Sequence, residues 1–131
     1  MKKLTSILVN VNPSYVLEQS DPSHHKFVWS YDILITNNSE EIVQLLHRFW
    51  RITDMTGKVE ELHGAGVVGL QPLIKPGKQF TYTSYCQLMT PHGTMEGHYE
   101  FETLSEEHFS VSIPKFILSV PSSMTDRSRL H

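Results

Sequence analysis

Fifteen residues near the middle of the chain, His63 to Gly77, hold four of its seven glycines and two of its seven prolines. Glycine loses more backbone entropy than any other residue on entering a regular element, and proline lacks the N–H that helices and inner strands need. No ordinary helix or strand spans such a stretch. It has to be a built connection, and the segments on either side of it must supply the fold.

Those flanks read as strands. Phe27, Trp29, Tyr31, Ile33 and Ile35 alternate with Val28, Ser30, Asp32, Leu34 and Thr36. A period of two over this length marks a strand with one buried face. Ile7, Val9 and Val11 suggest an earlier strand, which Asn12-Pro13-Ser14 is expected to interrupt before Tyr15-Val16-Leu17 resumes it. Ile42 to Thr53 mixes leucines with charges, so a helix competes there; strand is the better reading because the turn signature Asp54-Met55-Thr56-Gly57 closes it and Lys58 to His63 returns as a hairpin partner. Within it, Leu45-Leu46 and Phe49-Trp50 break the alternation, which indicates a bulge or a strand covered on both faces.

Beyond the central stretch, Lys75-Pro76-Gly77-Lys78 fits a type II turn, and Phe80 to Cys86 is rich in strand formers. Thr90 to Gly93 is a turn. Met95, Gly97, Tyr99 and Phe101 alternate with polar residues, and Phe109, Val111 and Ile113 follow a turn at Ser105 to Glu107. Pro114 should place the last strand at an edge or a bulge. These short strands predict an all-β antiparallel sandwich of seven or eight strands, immunoglobulin- or fibronectin type III-like, in a single domain over residues 1–120, with a flexible tail over 121–131.

The chain has 131 residues, enough for one domain with a sizeable core. Its net charge of −3 speaks against a dedicated nucleic-acid or anionic-membrane binder. One cysteine, Cys86, leaves no internal disulfide framework and fits a reducing compartment. The apolar run from Leu4 to Val9 is too short for a signal peptide, so the expected location is cytoplasmic.

Gly64-Ala65-Gly66-Val67-Val68-Gly69 matches G-x-G-x-x-G. In dinucleotide-binding proteins such glycines bring backbone N–H groups to a pyrophosphate at a helix N-terminus. Pro72 and Pro76 forbid that helix here, and no acidic residue follows at the ribose-binding distance. Two readings remain: a glycine-rich inter-sheet connection, or an anion-binding nest of N–H groups assisted by His63, Lys75 or Lys78. The histidines show no strong zinc spacing, and most read as surface residues, His98 among them. Cys86 and Ser84 lack a base or a nucleophile elbow. Trp29 and Trp50 read as core, leaving recognition to Arg48, Arg51 and the glycine loop.

The run Val43 to Asp54, then Gly57-Lys58-Val59-Glu60-Glu61, Gly64 to Pro72, Pro76-Gly77, Phe80 to Ser84 with Cys86, and Thr90 to Gly97, resembles the ApaG family. His47, Phe49 and Tyr85 depart from its commoner serine, histidine and glycine. The resemblance implies a fibronectin type III-like sandwich, a small bacterial stand-alone domain that recurs in some eukaryotic F-box proteins and in a polymerase-delta-interacting protein. It implies no enzymatic activity and carries a loose association with cobalt resistance and magnesium efflux. The expected function is a non-catalytic protein-interaction module, with Arg48, Arg51, His63, Gly64, Gly66, Gly69, Lys75, Lys78 and His92 as candidate contacts. The alternative is a small-anion or nucleotide sensor built on Gly64 to Gly69. A protein partner is expected, a homodimer is compatible with exposed strand edges, and no metal, cofactor, nucleic acid or membrane is expected.

Overall fold

The computed structural model describes residues 6–122. The N-terminal Met1-Lys2-Lys3 and most of the expected tail lie outside the described residues. Among the described residues eight strands form two antiparallel sheets: β1 (Ile7–Tyr15), β2 (Phe27–Asn37), β3 (Val43–Asp54), β4 (Val59–Ala65), β5 (Leu73–Ile74), β6 (Gln79–Leu88), β7 (His92–Thr103) and β8 (His108–Ser119). One sheet has the order β1-β2-β6; the other runs β4-β3-β7-β8, with β5 also on β3. This is the all-β antiparallel sandwich that the alternating pattern predicts.

The alternation dictates the core. Trp29, Tyr31, Ile33 and Ile35 of β2 face Val43, Leu45, Trp50, Met95, Tyr99 and Phe101 of the other sheet, all buried. Tyr31 meets Trp50 edge to face with centroids 5.4 Å apart, and the Trp29 indole N–H donates to the Ser119 carbonyl at 3.0 Å, so aromatic packing and a hydrogen bond both tie the sheets together. Asn37 is fully buried. Its amide donates to Glu41 O and Ile74 O, and its carbonyl oxygen accepts from Ser39, which fixes the β2–β3 turn to β5.

Two proline expectations separate here. Pro114 sits where the β7–β8 register shifts, on the edge strand β8, as expected. Pro13 does not interrupt β1: the strand runs through it, with Pro13 opposite Tyr31. β1 is an edge strand, where a missing donor can face away from the ladder.

Candidate functional site

The central stretch is organised by β3. Pairing with β7 runs Val43↔Thr103 to Leu45↔Phe101, then resumes at His47↔Glu100, so Leu46 is the extra residue of a bulge. On the other side of β3, β5 pairs with Val43 and Gln44 and β4 with His47 to Thr53. The chain leaves the edge between them and returns, and the excursion is the glycine loop. The loop is thus a detour along one sheet edge. The inter-sheet crossing falls later, at the Lys75–Lys78 turn, where Lys78 N–H donates to Lys75 O and Gly77 has φ 77°.

The detour is fastened at both ends. Gly66 N–H and the Gln71 side-chain amide both donate to Leu46 O, at 2.7 and 2.9 Å, and Leu45 N–H donates to Pro72 O. Arg48 reaches under it and donates to Ala65 O and Gly66 O at 3.1 and 2.9 Å. Gly64 makes room for that guanidinium: a Cβ there would lie 2.6 Å from it. Val67 is buried in the core. Val67 and Leu70 then exchange two backbone hydrogen bonds of 2.8 Å around Val68 and Gly69, whose φ values are 42° and 80°. Positive φ at both central residues is the mark of a type I′ hairpin turn. Val68 and Leu70 point outward, 55% and 53% exposed.

This geometry speaks against the anion-nest expectation. The N–H groups of Gly66, Val67 and Leu70 are already given to backbone carbonyls, so three of the loop's donors are committed within the chain. The expected helpers do not assemble either. Lys75 and Lys78 occupy the crossing turn beside Asn37, and His92 lies at the far end of β7, within 3.0 Å of Ser119 Oγ. Gly93 next to it pairs with Asp54, about 25 Å along β3 from Leu46 at the usual strand rise. Arg48, His63, Gly64, Gly66 and Gly69 are brought together. Arg51 is three residues on from Arg48, on the outer face of the sheet, paired with Glu61 at 2.9 Å.

Four residues that motif reasoning missed complete the area. His47, Phe49, His98 and Glu100 join Arg48, His63, Gly64 and Ala65 around a shallow groove of about 550 Å³. Phe49 is its floor, with His63 at 4.8 Å on one side and His98 stacked at 5.1 Å on the other. His98 Nε2 is 3.0 Å from Glu100 Oε2, and that same oxygen accepts from Ser110 Oγ at 2.7 Å. The carboxylate therefore stands between hydroxyl and imidazole, whereas nucleophilic catalysis needs the imidazole in the middle. The one thiol is unsuited as well: burial, with Glu60 adding to it, pushes Cys86 up to about 12. Among the described residues no group of three or more His, Cys, Asp or Glu side chains is placed to hold a metal ion, and no helix is long and apolar enough to cross a membrane.

Fold and loop together define a small antiparallel β-sandwich domain with a hairpin detour pinned to a bulged strand. Comparison with known proteins places it further: residues 17–103 match the model of the ApaG domain. The chain is 51% identical over 118 residues to Protein ApaG of Agrobacterium fabrum, spanning 90% of this chain and 91% of the relative, and 49% identical to that of Mesorhizobium japonicum with the same coverage. The crystal structure of the putative ApaA protein from Bordetella pertussis superposes with a TM-score of 0.86 at 46% identity, covering 88% of this chain and 94% of that one. This chain belongs to the ApaG family.

Proposed function

We propose that this protein is a non-catalytic protein-interaction module of fibronectin type III-like architecture and that its docking element is the hairpin tip Val68–Leu70. The observation that carries the reading is Val68. A β-branched residue at φ 42° is strained by about 1–2 kcal/mol, and here the strained residue presents an aliphatic side chain to solvent. Such strain persists where the surroundings over-determine it and clusters at binding sites. The surroundings here are the Arg48 clamp, the Gly66–Leu46 bond and buried Val67. Leu73 on β5, 60% exposed, extends the apolar surface along the same edge. The wrong order of Ser110, Glu100 and His98 and the buried, protonated Cys86 support a binding role over a catalytic one. Any link to cobalt resistance or magnesium efflux would then run through the partner.

Val68→Gly separates stability from binding. It removes the strain and should leave the fold as stable or more so, while partner capture by Val68→Gly/Leu70→Ser falls well below that of the parent protein. Undiminished capture by the folded double variant would defeat the proposal.

A further inference from the structure

Sheet edges that must stay unpaired usually carry prolines, lysines or bulges. β1 carries Pro13, and β8 carries Pro114 and Lys115 at its register shift. β4, the other edge of the larger sheet, has no proline, lysine or bulge, and its charges are Glu60 and Glu61. Its sequence is Val59-Glu60-Glu61-Leu62-His63-Gly64-Ala65, its pairing with β3 is regular, and its side chains are largely exposed. β6, the other proline-free edge, has no charged residue to fix a register.

We propose that β4 pairs antiparallel with β4 of a second copy of this chain, about a two-fold axis through Leu62, joining the two larger sheets into one. The register follows from parity. Directly opposed residues of an antiparallel pair lie on the same face. A two-fold axis that keeps both outer faces on one side must therefore pass between a residue and its own copy. An axis at Glu60 or Glu61 sets identical carboxylates against each other. An axis at His63 opposes two imidazoles and leaves only the last five residues of the strand to pair. The axis at Leu62 uses the whole strand. It sets Leu62, 44% exposed in one copy, against the partner's Leu62, Val59 against the partner's Ala65, and Glu60 against the partner's Gly64.

Charge supports the same choice. Across the outer face Glu96, Arg51 and Glu61 already lie in one cross-strand row. In this register Glu61 meets the partner's His63, so the row continues with an imidazole opposite a carboxylate acceptor and runs on to the partner's Phe49. Both ends of the interface gain this pairing by symmetry. A seven-residue strand pair falls below the standard interface size, which makes the dimer weak, micromolar rather than nanomolar. The proposal stands apart from the hairpin reading, since it uses residues 59–65 and not Val68 or Leu70.

Sedimentation velocity on the full chain from about 1 µM to about 1 mM spans the range where so small an interface dissociates. A concentration-dependent dimer is expected, and His63→Glu should raise its Kd about tenfold by opposing carboxylates at both symmetric positions. Cysteine cross-linking reads the register. Leu62→Cys should form a disulfide dimer under mild oxidation and Glu60→Cys should not. Val59→Cys and Ala65→Cys should cross-link to each other when mixed but not to themselves. A monomer throughout the range, or cross-linking as efficient from Glu60→Cys as from Leu62→Cys, overturns the proposal. The mixed pair decides it even if Leu62→Cys does not fold.

Discussion

A methyl group on Gly66 would sit 2.1 Å from the Leu70 carbonyl oxygen and 2.9 Å from its carbon, at a backbone φ of 64°. The same group on Gly69, at φ 80°, would meet nothing within 4 Å. Both substitutions hold an alanine in the left-handed region, which costs about 1–2 kcal/mol. Only the first has a further steric cost, because the obstruction is backbone and cannot swing aside. Leu70 must move, and with it the two hydrogen bonds it exchanges with Val67, each contributing about 1 kcal/mol. Val67, 1% exposed, then loses part of a burial worth about 1.5–3 kcal/mol. Gly66→Ala should therefore destabilise by about 3–5 kcal/mol and Gly69→Ala by about 1–2 kcal/mol. Urea unfolding followed by tryptophan fluorescence reads the difference as a midpoint shift at constant slope. Equal midpoints for the two variants would refute the claim that close approach, rather than positive φ alone, requires glycine at position 66.

Two further outcomes follow from the Arg48 clamp and from the buried thiol and phenols. Arg48→Met removes charged donors from Ala65 O and Gly66 O and should cost about 2–3 kcal/mol, with faster hydrogen exchange at Gly66 and Val67 and unchanged exchange along β2. Protection at Val67 equal to the parent's would show that the clamp does not hold the loop. Alkaline pH should destabilise the fold, because burial raises Cys86 from 9.0 to about 12 and also raises Tyr31, Tyr82 and Tyr99. A folded pKa above the unfolded one gives stability that is whole below the unfolded value and drains as pH rises through the folded one. The urea midpoint should thus fall from about pH 9 towards 12, less steeply in Cys86→Ala; a midpoint that stays level across that window contradicts the burial argument.

What the sequence makes legible is what depends on period and local chemistry. Five inward residues from Phe27 to Ile35 announce β2, the Leu45-Leu46 doublet announces the bulge, and Gly57 and Gly77 mark turns that the chain makes. Pro13 misleads because whether a missing N–H matters depends on which side of the strand has a neighbour, a tertiary fact. Lys75, Lys78 and His92 join the loop in sequence reasoning because basic residues close to a glycine motif invite it, yet nothing local says which end of a sheet each will reach. Phe49 and His98 were recoverable in principle. Both sit at outward positions of their strands, and only the β3–β7 register, which sets them opposite one another, was missing.

The G-x-G-x-x-G pattern and the Leu45-Leu46 doublet are two halves of one device. A bulge turns out a carbonyl that the ladder does not pair, and the Leu46 oxygen is that carbonyl. Gly66 supplies an N–H at a positive φ, where a side chain would run into the Leu70 carbonyl, and Gln71 supplies a second donor to the same oxygen. In a phosphate loop the same kind of N–H waits for an external anion. Here the acceptor is the chain's own bulge. An anion could claim the Gly66 donor only by taking it from Leu46 O, which would keep Gln71 alone, so one hydrogen bond worth about 1 kcal/mol is lost before the ligand gains anything. The motif is therefore better matched to holding Val68 in place than to recruiting a phosphate, and its glycines are needed whether or not anything binds.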